Sequence, residues 1–107
     1  MKFEIIWSGF AEQQLDKIHE YYLENVSYRV ASKLIQEILQ EPDVLIQKPY
    51  IGQIESNLPE RIITYRYVIY KSYKIIYSVD EINNLINIAD VFDTRQNPEK
   101  IGRRNKL

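Results

Sequence analysis

Cysteine is absent from the 107 residues. That removes disulfides, thiol nucleophiles and Cys-ligated metal together. It fits a reducing compartment such as the cytoplasm. Histidine occurs once, as His19, so no His-rich metal constellation and no Ser-His-Asp arrangement is expected. Three glycines make no Gly-rich phosphate loop. No run of about 18 apolar residues occurs, so no segment is expected to cross a membrane. The N-terminus lacks an apolar h-region and a cleavage site, so secretion is not expected. Nothing in the chain calls for a cofactor.

What is present fits one domain of residues 1–107, large enough for a single core. The net charge of −1 hides a split. Residues 1–60 hold 5 Lys/Arg against 10 Asp/Glu, and residues 61–107 hold 9 against 5. The halves therefore carry −5 and +4. Such a split points to an acidic partner for the C-terminal half. An ordinary solvated surface is the plainer alternative.

The stretch from Tyr65 to Pro98 holds three runs rich in Tyr, Ile and Val, separated by short polar breaks. β-branched and aromatic side chains suit a pleated, half-buried surface, so the runs predict an antiparallel meander. Lys71-Ser72 fits a tight hairpin, and Asn83-Asn84 can take a positive φ. Pro98 cannot donate to a ladder, so the last strand stops before it. The hairpin register sets Tyr70 opposite Tyr73 and Val68 opposite Ile75. One face then carries Tyr73, Ile75, Tyr77 and Val79, the better core row. The other carries Tyr65, Tyr67, Ile69, Lys74, Ile76 and Ser78, and its Lys and Ser mark it as the open face. A slip of one residue would exchange the two.

Upstream, Lys2 to Trp7 predicts a first strand at an edge. Ser8 suits a helix N-cap. Phe10, Ala11, Leu15, Ile18 and Tyr22, with Tyr21 beside them, recur at helical spacing and define a buried face. That helix ends near Glu24-Asn25. Ser27 caps a second helix, whose Val30, Ala31, Leu34, Ile35, Ile38 and Leu39 are apolar. Pro42 interrupts it, since an interior proline costs about 3 kcal/mol. Either the helix stops near Gln40 and restarts at Pro42 or it kinks there; a kinked continuation to about Gln47 is expected, then a turn at Pro49 and Gly52 and a loop over 50–60. The tail after Pro98 is basic, and residues 99–107 are either mobile or laid on a partner. The order β-α-α-β-β-β gives an α+β fold, a helical hairpin packed on a small antiparallel sheet.

Nearly the whole chain resembles RelE/ParE-type toxins of type II toxin–antitoxin systems. The resemblance is carried by Trp7, Ala11-x3-Leu15-x2-Ile18-x2-Tyr21, Ala31-x2-Leu34 with Ile38, and Leu45-x3-Pro49-x2-Gly52. It continues through Tyr73-Lys74-Ile75-Ile76-Tyr77-Ser78-Val79 and Val91-Phe92-Asp93-Thr94-Arg95-Gln96-Asn97-Pro98. It implies the same β-α-α-β-β-β fold, a plasmid-stabilisation or growth-inhibition role in the cytoplasm, and a small antitoxin that folds on binding to form a hetero-oligomer.

The family holds two mechanisms. RelE-like members cut messenger RNA in the ribosome without metal, and ParE-like members bind DNA gyrase. RNA cleavage needs a base for the 2′-hydroxyl, cations for the phosphorane and an acid for the leaving oxygen. By resemblance Lys74 and Arg95 match basic positions of the nucleases. The Tyr or His usual in the C-terminal segment of those enzymes is missing, because no Tyr follows Tyr77. The first helix and the Pro49-x2-Gly52 turn look closer to the ParE branch. Three functions stay open: a gyrase inhibitor, a ribosome-dependent endoribonuclease, and a member that only binds antitoxin. Candidate target or antitoxin contacts are Arg61, Tyr65, Tyr67, Lys74, Arg95, Arg103 and Arg104. Each has a plainer reading. Lys74 suits an ordinary strand lysine, and Arg95 suits a pair with Asp90 or Asp93. The tyrosines suit a covered sheet face.

Overall fold

One serine side chain joins the first strand to the first helix. The Ser8 hydroxyl accepts from the Ala11 amide at 3.0 Å and donates to the Ala89 carbonyl at 3.2 Å. It thus caps helix α1, Gly9–Asn25, and ties its start to the last strand. Ser27 repeats the cap for α2, Tyr28–Gln40, accepting from Val30. The computed structural model describes residues 2–58 and 63–103 of the chain. Pro42 stands in the first turn of a 3-10 segment, Glu41–Ile46, where its missing amide hydrogen costs little. The expected kinked continuation is therefore a tightening from α to 3-10.

Five strands form one sheet: β1 (Glu4–Trp7), β2 (Gln53–Ile54), β3 (Arg66–Tyr70), β4 (Tyr73–Asp80) and β5 (Leu85–Asp93). Their order is β1-β5-β4-β3-β2. Strands β2 to β5 are antiparallel neighbours, and Tyr70 faces Tyr73 and Val68 faces Ile75 as the hairpin predicts. Two features go beyond the sequence reading. The loop over 50–60 contributes the two-residue β2, and β1 pairs with β5 in parallel. A parallel edge is possible because the chain returns to β5 only after a long crossover. Lys71 and Asn84 take positive φ, 53° and 56°, at the two turns.

The helical hairpin covers one sheet face. Leu15, Leu34, Ile38, Leu45, Ile75, Tyr77, Ile86 and Ile88 are buried there, with Ile18 and Tyr22 packed at the margin. Tyr22 takes the inward place on α1, while its neighbour Tyr21 is 58% exposed. The second face corrects the expectation of an open surface. Ile76 and Phe92 are buried there under Ile101, with Leu58, Tyr65 and Tyr67 packed around them. The short 3-10 turn Pro98–Lys100 folds the chain back so that Ile101 is only 4% exposed. Apolar side chains on both faces of β4 require a cover on both, and the chain supplies its own.

Gly52 is where the turn meets the sheet. Its amide donates to the buried Tyr77 hydroxyl at 3.0 Å, and that hydroxyl donates to the Pro49 carbonyl at 2.7 Å. A Cβ at Gly52 would lie 2.5 Å from the Tyr77 oxygen and 2.7 Å from the Tyr67 carbonyl. Gly52→Ala should therefore destabilise the fold by about 1–3 kcal/mol, read as a lower denaturant midpoint. A midpoint equal to that of the parent chain would show that the turn yields without cost.

Candidate functional site

Alternation along β4 separates the two residues most suited to nuclease chemistry. Tyr73 pairs with Asp93, and Lys74 pairs with Phe92. Successive strand residues point to opposite faces. Asp93 and its partner Arg95 therefore stand on the helical side, and Lys74 stands on the other.

Lys74 is not a free cation. Its Nζ donates to Glu55 Oε1 at 2.8 Å and lies 4.2 Å from the centre of the Tyr67 ring. Glu55 is 1% exposed, and its other oxygen accepts from the Asn57 backbone amide at 2.9 Å and side-chain amide at 3.1 Å. Burial alone would raise the Glu55 pKa. The bonds from Lys74 and Asn57 outweigh it and hold the carboxyl below its ordinary range. A depressed folded pKa means that this group's stabilisation is present above its unfolded value and is lost as pH falls through the folded one. The expectation of an exposed Lys74 is thus corrected. It tethers the segment after β2 across the second face.

Arg95 is exposed and pairs with Asp93, Nε to Oδ1 at 2.9 Å and Nη2 to Oδ2 at 2.8 Å. This bond is the main reason the Asp93 carboxyl is held below its ordinary range. Arg103 donates to both oxygens of Asp90, at 2.8 and 2.9 Å, and lies over the rings of Phe10 and Phe92. Burial still leaves the Asp90 carboxyl above its usual range, against the pull of Arg103. Tyr65 and Tyr67 are half-buried in the second core, and the Tyr67 hydroxyl donates to Gln53 at 2.9 Å. Arg61 and Arg104 lie outside the described residues.

Arg103→Ala would leave Asp90 buried and unpaired. The loss should be roughly 2–3 kcal/mol near neutral pH. It should shrink as pH falls, because the unpaired carboxyl takes up a proton more readily than the paired one. Melting curves across that range check both the size and the trend.

The structure brings together residues that sequence reasoning did not group. A groove of about 550 Å³ runs between α1 and the end of β5, lined by Lys17, Tyr21, Tyr22, Tyr73, Asp93 and Arg95 among others. The Tyr22 and Tyr73 hydroxyls meet at 3.5 Å. Burial, then the Tyr22 contact, pushes the Tyr73 phenol up. A second concavity of about 290 Å³ lies between the hairpin and the β3–β4 turn, lined by Val30, Lys33, Leu34, Lys71 and Tyr73. Among the described residues no group of His, Cys, Asp and Glu is arranged to hold a metal, and no helix is long and apolar enough to cross a membrane.

An acid inside the apolar run Leu85–Phe92 was a legible sign that Asp90 needs a cation. Glu55 gave no such sign, because it falls in a stretch with no periodicity.

No curated protein matches the chain. Among solved structures, a chain of the chromosomal ParDE toxin–antitoxin system from P. aeruginosa superposes with a TM-score of 0.69 at 20% sequence identity, over 85% of this chain and 95% of that one. That likeness speaks for the fold. The sequence profile of the ParE toxins of type II toxin–antitoxin systems, parDE, matches residues 5–98. With the helical hairpin, the meander and the profile in agreement, the chain belongs to the ParE toxin family of type II toxin–antitoxin systems.

Proposed function

We infer that the protein is a growth-inhibiting toxin that acts by binding DNA gyrase and is silenced in the cytoplasm by a cognate antitoxin. The observation that carries this reading over RNA cleavage is the separation of Lys74 from Arg95. Cleavage by the two basic positions that match the nucleases needs both of them at one phosphate. Here one cation is neutralised by a buried glutamate, and the other stands on the far side of the sheet. A ParE-like inhibitor needs no such cluster, only a surface.

The antitoxin reading rests on exposed apolar groups of the hairpin. Val26, Tyr28 and Val30 are exposed, and Val30 lines the groove beside Leu34. An amphipathic segment that folds on binding would bury them, and Lys33 and Lys71 at the rim would meet its carboxylates. Aromatic and aliphatic anchors would give most of the affinity, and charge pairing would speed association. The neighbouring gene should encode that segment. Arg95, exposed and paired with Asp93, is a contact for either partner. Lys74, Tyr65 and Tyr67 serve the second core first.

Expression of the chain alone tests the reading. DNA-damage signalling should precede translation arrest, and co-expression of the neighbouring gene should restore growth. Message cut at one position in the codon before any damage signal would replace gyrase with the ribosome. A harmless chain would leave antitoxin binding as its only activity.

A further inference from the structure

The groove between α1 and the end of β5 has chemistry that neither the fold nor the proposed target requires. Three features define it. The Asp93 carboxylate at its floor is already matched by Arg95 through Nε and Nη2, so its charge is answered. The Arg95 side chain also meets the Tyr22 side chain. Lys17 lines the same space, and its side chain has no hydrogen bond or ion pair among the described residues. The exposed ring of Tyr21 lines the same groove, in a T-shaped pair with Tyr22 at 5.3 Å between centroids.

We propose that this groove binds a nucleotide, with the phosphate at Lys17 and Arg95 and the base against Tyr21. The donors around the groove favour a phosphate. Asp93 holds the Nε and Nη2 donors of Arg95 on one guanidinium edge. What remains is the guanidinium N–H groups that Asp93 does not take, an ammonium and phenol hydroxyls set around one space. Separate donors of this kind suit a tetrahedral anion with three oxygens. The groove's volume, about 550 Å³, is far more than one anion fills and falls in the range of small-molecule sites. The extra room and the exposed ring of Tyr21 suit a planar base, since stacking on an aromatic ring tolerates any base. The nucleotide unit is either free or the end of a nucleic-acid strand. This inference does not rest on gyrase being the target.

Amide NMR titration of the whole chain tests it, with AMP, inorganic phosphate, a short oligothymidylate and an oligoglutamate peptide at matched ionic strength. AMP should shift amides of α1 and of residues 93–96. Lys17→Ala should weaken AMP and phosphate alike, by about three- to tenfold. Tyr21→Ala should weaken AMP by about tenfold and leave phosphate unchanged, a split that a merely structural role would not produce. Both side chains are on the solvent side of α1, so both variants should fold. Binding of oligothymidylate with the same shifts as AMP would assign the site to a strand end, and binding of AMP alone would assign it to a free nucleotide. The proposal fails if none of the phosphates shifts these amides, if the shifts survive Lys17→Ala, or if oligoglutamate outcompetes AMP.

Discussion

Lys74→Ala should destabilise the protein by roughly 3–5 kcal/mol, the cost of leaving a buried carboxylate without its counter-ion. Glu55 is almost wholly enclosed, so water cannot replace the ammonium. The reverse change is milder. In Glu55→Gln the lysine keeps its place over the Tyr67 ring, and with 18% of its side chain exposed it can reach water. The double change Lys74→Met with Glu55→Gln removes both charges and should recover most of the loss, because no charge is left buried. Chemical denaturation of the four proteins gives the coupling directly. If Lys74→Ala melts like the parent but abolishes growth inhibition, Lys74 serves the target and not the fold.

Leu34→Asp should unfold the domain. Leu34 is buried between the helical hairpin and the sheet, beside Leu15, Ile38 and Ile75. The substitution removes a core side chain, worth about 2–5 kcal/mol, and adds an unpaired charge that costs several more. Domains of this size are stable by only about 5–15 kcal/mol, so little or nothing remains. Circular dichroism should show no cooperative transition. An unchanged melting temperature would mean that the hairpin does not pack as described.

Much of this core was legible from spacing alone. Ala11, Leu15 and Ile18 at helical intervals and Tyr73, Ile75 and Tyr77 at alternate positions name the two surfaces that meet. The hairpin register followed from the two-residue break at Lys71-Ser72. The second face was misread for a physical reason. Lys74 and Ser78 look solvated, but a lysine with a buried partner and an apolar stem is compatible with burial. Its partner Glu55 is 19 residues upstream, and no local pattern records such a contact. The covering by Ile101 was hidden in the same way, since a lone isoleucine among Lys and Arg reads as tail. The groove beside α1 depends on the approach of residues from α1, β4 and the turn after β5, which one-dimensional periodicity does not carry.

The proposed toxin, a ParE-family fold with Lys74 and Arg95 on opposite faces, acts on gyrase and does not cut RNA. Gyrase supercoiling of relaxed plasmid, measured with the purified chain, tests it most directly. The account predicts that supercoiling fails as the chain is added and returns when the neighbouring gene's product is supplied. Full supercoiling at a chain concentration that cuts ribosome-bound message would contradict it.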